Sequence, residues 1–375
     1  MSRTKESRVC ILGAGCSAKC GYPLGVGLTT QLQGFYWDIP ADCTRIKQSV
    51  SDTITLMKAL PAMETLDQLA KWIDDDLLER NNRRRSNIAD QAYLDRERLA
   101  YKQILNAKLA TSALFVTREE NARKSRLPSY HRLLDSVFGG DPWQEAVAKS
   151  DCHVLTFNYD RLFEVAFHDR FKSFEQQRYG TYTKEVLNSG FNNRMNDGYD
   201  NVGPVSDRFC FLKLHGSAGW WVKTVPGNRG TNECRRYWPS IPSAHDDLKK
   251  MEEQLEKNEQ QNKIQPWEPL IAFPHEKQRA VQGETDFLAD RYIEKIEIHA
   301  ASVLAAATQV RIIGYSFAPI DSRHVVEKLL DKIPPDSAII VQNMDVASVR
   351  SRLEGYPSMR DRITRGRVIF DPTPF

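Results

Sequence analysis

The chain has 375 residues, 41% of them hydrophobic and 27% charged, with a formal net charge of +3. Those values are ordinary for a globular protein and leave room for one large α/β domain with insertions, or for two domains. So small a net charge gives no global drive to wrap nucleic acid or coat a membrane surface, and no run of about eighteen apolar residues offers a membrane span.

Met1–Arg8 is polar and runs straight into an apolar strand, which leaves no room for a signal peptide, so the cytoplasm is the expected compartment. The strand Arg8–Leu12 ends in Gly13-Ala14-Gly15-Cys16-Ser17. Gly13, Gly15 and Ala18 fit the Gly-x-Gly-x-x-Gly/Ala pattern, in which bare backbone and exposed amides receive a pyrophosphate. A plain glycine turn fits equally well. Gly21 and Pro23 interrupt the helix that should follow, and no second strand ending in an acid appears about twenty residues on, where only Asp38 is available.

From 41 to 150 the sequence predicts no strand. Leu94, Leu99, Tyr101, Ile104, Leu105 and Leu109 recur at helical spacing, so this stretch is expected to be an inserted subdomain of four or five helices. Arg83-Arg84-Arg85, after Asp74-Asp75-Asp76, reads as a solvated helix end more readily than as a phosphate contact. The seven cysteines (Cys10, Cys16, Cys20, Cys43, Cys152, Cys210 and Cys234) are irregularly spaced and contain no Cys-x-x-Cys pair. Reduced thiols are expected and a zinc module is not; Cys16 and Cys20 read as small buried fillers.

Six more apolar runs predict strands: His153–Phe157, Phe209–Leu214, Leu270–Phe273, Gln309–Ile313, Ala338–Gln342 and Arg367–Phe370. None alternates cleanly, as expected of parallel strands covered on both faces. Helices are predicted over Phe287–Ala307 and Ile320–Lys332, the latter stopped by Pro334-Pro335. Lys172–Asp207 and Trp220–Trp267 read as irregular excursions, the second with a charged helix over Leu248–Lys263.

Chemistry gathers where strands end. Thr156-Phe157-Asn158-Tyr159-Asp160 places a carboxamide and a carboxylate beyond one strand, where both are also good helix caps. Leu214-His215-Gly216 sets an imidazole beyond another, able to move a proton near neutral pH. Gly314-Tyr315-Ser316 and Asn343 close the last βαβ unit, and ordinary turn chemistry competes there with a nucleotide contact.

Taken together, these residues resemble the SIR2-like, sirtuin-fold family, with the match strongest to its bacterial anti-phage defence branch. The resemblance rests on Gly13, Ala14, Gly15 and Ser17, on Thr156, Asn158 and Asp160, on His215, and on Gly314, Ser316 and Asn343. It covers residues 8–37 and 151–371. It implies a Rossmann-like, largely parallel α/β core over 1–40 and 151–375, interrupted by the helical insertion at 41–150. The implied substrate is NAD+, with no metal. Asn158 would orient a water or a ribose hydroxyl, Asp160 would bind the carboxamide, and His215 would be base or hydroxyl partner. Gly13, Ala14, Gly15 and Ser17 would cradle the pyrophosphate, Gly314, Ser316 and Asn343 would hold the adenosine half, and Thr156 would be a further residue of the NAD+ site.

Three departures separate this chain from the family's protein deacylases: Leu24-Gly25 replaces Asp-Phe-Arg, Phe157 stands in place of glutamine, and the zinc cysteines are missing. The expectation is therefore an NAD+ hydrolase releasing nicotinamide and ADP-ribose. A deacylase or ADP-ribosyltransferase, and a non-catalytic nucleotide sensor, are the alternatives. The resemblance further implies a homo-oligomer and a regulatory partner of the ATPase, helicase or Argonaute-like kind; direct nucleic-acid binding ranks last.

Overall fold

Strand β1 (Arg8–Leu12) is apolar on both sides of its pleat, and both sides are covered. In this computed structural model the described residues are 7–22, 27–60, 65, 68–73, 91–124, 127–138, 152–167, 210–224, 232–236, 244–260, 268–273 and 288–375. After β1 come α1 (Gly15–Ala18), α2 (Leu28–Asp38), α3 (Thr44–Ala59), α4 (Gln91–Lys124) and α5 (Pro128–Phe138). Then follow β2 (Cys152–Thr156), β3 (Phe211–Lys213), β4 (Gly216–Thr224), β5 (Asn232–Arg236), α6 (Ala244–Gln260), β6 (Glu268–Ile271) and α7 (Leu288–Ala305). The chain closes with β7 (Gln309–Ile313), α8 (Pro319–Lys328), β8 (Ala338–Gln342), α9 (Val346–Glu354), α10 (Pro357–Thr364) and β9 (Val368–Asp371).

Six strands form one parallel sheet in the order β3-β2-β1-β7-β8-β9. The chain works outward from β1 to β3, returns to the other side of β1 and works outward again. This is a doubly wound Rossmann-like sheet, whose direction of winding reverses between β1 and β7. Parity along the strands assigns the two faces. Cys10, Leu12, Cys152, Val154, Phe211 and Ile313 enter a core shared with α2 to α6, through residues such as Phe35, Val50, Leu114, Leu134 and Met251. Val9, Ile11, Leu155, Leu212, Val310 and Ile312 enter a second core with α7 to α10, through Ile296, Leu304, Val326, Leu353 and Met359. Residues 68–73 and 162–167 are also helical.

Three expectations need correction. The first concerns Leu270–Phe273, which does not join the parallel sheet. Its strand, β6, begins at Glu268 and pairs antiparallel with β4 in a separate three-stranded sheet, β5-β4-β6. A short apolar run announces burial and leaves open which sheet it enters. The second is that 220–267, read as irregular, carries β4, β5 and α6, with the charged helix starting four residues earlier, at Ala244. The third is that coverage of both faces stops at the β8–β9 edge. There Ile369 is 54% exposed, and Arg311 lies between Gln342 at 2.9 Å and Asp371 at 3.7 Å.

Elsewhere the boundaries move by a residue or two, and the helix expected to run to Lys332 ends at Lys328 before a 3-10 turn, Leu330–Lys332. Every described segment between 41 and 138 that has regular structure is helical. The excursion 172–207 and the Asp74–Asp76 and Arg83–Arg85 clusters lie outside the described residues.

Candidate functional site

The loops after β1 and β7 meet where the winding of the sheet reverses. Gly13 N–H donates to Ile313 O at 2.9 Å, and Gly15 N–H to Gly314 O at 2.8 Å. A methyl group on Gly13 would stand 2.5 Å from Tyr315 Cα; one on Gly314, whose φ is +64°, would stand 2.6 Å from Cys16 N. Two backbones touch here with no side chain between them. Glycine is thus demanded by loop-on-loop packing before any ligand is considered.

The same geometry revises the expected phosphate cradle. The amides of Gly13, Gly15, Cys16 and Ser17 all donate within the protein, the last two to Gly13 O and Ala14 O at 3.0 and 3.1 Å. Helix α1 has only four residues and stops before Gly21, whose φ is +82°. What this loop presents outward is the exposed Ala14. Cys16 is a filler: its buried thiol donates to Ile313 O at 3.1 Å, and burial drives its pKa far up.

Ser17 faces inward. Its hydroxyl donates to Asp160 Oδ2 at 2.6 Å, lies 2.7 Å from the Tyr130 hydroxyl and accepts from Asn158 Nδ2 at 3.2 Å. All four side chains are at most 5% exposed. Thr156, the last residue of β2, accepts the Asn158 N–H on Oγ1 at 3.1 Å and so turns the chain toward the site. Asp160 Oδ1 accepts the Leu162 N–H at 3.0 Å at the head of helix 162–167, so the capping role anticipated for it is realised. Burial raises the Asp160 pKa, and Lys213, Ser17 and Leu162 pull the other way. Asn158 Oδ1, by contrast, is buried with no hydrogen-bond partner among the described residues. A buried carbonyl left without a donor costs roughly 1–3 kcal/mol.

Two buried ion clusters hold this loop. Lys213, at the end of β3, donates to Asp160 O and pairs with Glu164 Oε1 at 3.0 Å. Arg161 reaches Glu119 of α4 at 2.6 Å and Asp247 of α6 at 2.9 Å. Its two carboxylates outweigh burial and raise its pKa.

His215 sits in the turn from β3 into β4 and is 5% exposed. Its ring packs against Phe157 (centroids 5.1 Å apart) and Tyr159 (5.8 Å), the two neighbours of Asn158. Gly216 must be glycine: φ is +77°, and a Cβ would fall 1.9 Å from Leu270 O in the adjacent strand. The His-Gly pair is therefore the hinge between the two sheets. Phe157 also packs on Tyr315, at 4.7 Å, so one aromatic cluster spans the ends of β2, β3 and β7.

The outer residues divide. Ser316 is exposed, with Arg352 donating to its carbonyl. Asn343 is used locally, donating to Tyr315 O at 3.0 Å and accepting the Asp345 N–H at 2.9 Å, which is the turn chemistry anticipated as its rival role. Tyr130, Lys213, Glu164 and Arg161 are the site residues that sequence reasoning missed. A charged Lys213 inside Phe-Leu-Lys-Leu was the one readable signal, since a buried lysine requires a partner. No group of residues fit to hold a metal occurs among the described residues.

A model of the family described as SIR2-like domain matches residues 152–357, from β2 to the start of α10. No curated protein matches the chain.

Proposed function

This chain belongs to the SIR2-like domain family, whose chemistry is built on NAD+, and we propose that it hydrolyses the bond between nicotinamide and the ribose C1′ of NAD+. One observation carries the reading: Asn158 Oδ1, buried and unpartnered, at the carboxyl edge of the sheet beside the residues that hold His215. Such an acceptor suits a ribose hydroxyl or an attacking water.

In the reaction the C1′–N bond breaks and nicotinamide leaves neutral with the electron pair. Water oxygen then bonds to C1′ and gives up one proton, so that NAD+ and water become nicotinamide, ADP-ribose and H+. The transition state is oxocarbenium-like, so catalysis consists in orienting the water and the ribose while charge develops. Asn158 receives the hydroxyl or water, and His215 takes the proton or holds a ribose hydroxyl. Asp160 acts through its neighbours, because both its oxygens are engaged. Gly13, Ala14 and Gly15 shape the floor beneath the pyrophosphate, and exposed Ser316 is the better placed adenosine contact, with Asn343 shaping its loop.

The experiment is incubation of purified protein with NAD+ and chromatography of the products. Nicotinamide and ADP-ribose should form, and Asn158→Ala or His215→Ala should lower turnover by about a hundred- to ten-thousand-fold with an unchanged melting temperature. Full activity in both variants overturns the assignment. Transfer of ADP-ribose to a protein, or deacylation of an acyl-lysine peptide, would replace hydrolysis by the alternative reactions.

Our reading extends to biology as a gated, cytoplasmic NAD-depleting effector of anti-phage defence. An unrestrained NADase would drain its own host, so oligomerisation or an ATPase-, helicase- or Argonaute-like partner holds it in check, with the helical insertion at 41–150 as the contact. Mixing with such a partner should change NAD+ turnover; unchanged turnover and no complex would dismiss that partner.

A further inference from the structure

The hydroxyl of Ser17 has one hydrogen and two lone pairs, and three buried groups claim them. The single proton goes to Asp160 Oδ2, the acceptor of the 2.6 Å bond. Both lone pairs must then receive, one from the Asn158 amide N–H and one from the Tyr130 O–H. Tyr130 is able to donate because it stays neutral: burial first, and the nearby Asp160 charge second, push its pKa well above the usual phenol range. Ser17 is thereby saturated. Asn158 must turn its nitrogen inward, which leaves Oδ1 as the atom offered to a ligand.

We infer that Tyr130, contributed by α5 from the helical layer, is a positioning residue for the site: its hydroxyl fixes Ser17, and Ser17 fixes the Asn158 amide as an acceptor. Two consequences follow. The group that meets Asn158 is a hydrogen-bond donor, a hydroxyl or a water, and the carbonyl of a carboxamide is excluded there. The helical layer is also part of the reaction machinery and not a cover over it, because without Tyr130 the Ser17 oxygen loses its anchor on that side.

The kinetic arm of the test rests on the NAD+ hydrolysis proposed above. Tyr130→Phe removes one neutral hydrogen bond and should lower kcat about tenfold while KM for NAD+ stays within about twofold. In a Ser17→Ala background the same change should add nothing, since its only route to Asn158 has gone. A kcat equal to that of the unmutated protein, or effects that simply add, overturns the inference.

A second arm needs no turnover. With 15N-labelled asparagine, the Asn158 side-chain NH2 signal, assigned by its loss in Asn158→Ala, should shift or broaden in Tyr130→Phe. An unmoved signal overturns the inference even if NAD+ is cleaved. A moved signal in a chain inert toward NAD+ keeps the positioning role and removes the proposed reaction.

Discussion

Asp160 is a carboxylate with no solvent to share its charge. Burial lifts its pKa above the usual range, against the pull of Lys213, Ser17 and the Leu162 amide. A carboxyl whose folded pKa lies above its unfolded value favours folding in its protonated form. That contribution is complete below the ordinary carboxylate pKa and is lost as pH rises through the folded value. The stability of the protein relative to Asp160→Asn should therefore be greatest at or below the ordinary carboxylate pKa and shrink as pH rises through the folded value. Melting temperatures of both proteins across that range measure it, and a constant or growing difference contradicts it. Glu164 is raised by the same burial and, to a smaller extent, by the Asp160 charge itself. At this scale the sequence drew attention to Asn158, Asp160 and His215 because several polar residues stand just past buried strands, although each alone could serve as a cap or a turn residue. The inward role of Ser17 was not legible. It depends on Tyr130, and nothing in a helical pattern announces which tyrosine will reach a serine 113 residues away.

At the scale of elements, the end of β1 and the end of β7 act as one part. Gly314→Ala would force a left-handed residue, at about 1–2 kcal/mol, and would also press a methyl group to 2.6 Å from Cys16 N. The melting temperature should fall and the two loops should separate; an Ala variant as stable as the parent would show that the contact yields. Arg161 performs a comparable service between layers. Exchanging it for Met leaves Glu119 and Asp247 facing each other in the interior, and removing one partner of a buried pair costs about 3–5 kcal/mol. Urea denaturation of Arg161→Met tests this. A change under about 1 kcal/mol would mean that the acids find protons or water. Parallel strands were readable because Val, Ile and Leu fill both faces of the pleat. The small second sheet was not, because Gly216-Ser-Ala-Gly-Trp-Trp221 has glycines and no alternation, and β6 resembles any buried strand.

Across the whole molecule, the alternation of strands and helices was enough to foresee parallel pairing with right-handed crossovers, and the Rossmann-like form of the core came from the family resemblance. The side on which each helix packs was beyond that argument. So was the sharing of a single core between α2 to α6 and the strands. The strand order has a kinetic side as well. Val9 pairs with Val310, so the central strand gains its second neighbour only about 300 residues after it is made. At about 5–20 residues per second, a nascent β1 waits about 15–60 s with an apolar edge unclaimed, a state that invites aggregation. A chain ended at Ala305 should accumulate as insoluble material while the 375-residue chain stays in solution; recovery of a soluble monomer would refute this. Cells making this protein should therefore have to shelter its first strand until β7 has been made, and its yield should depend on chaperone supply more than its finished stability suggests.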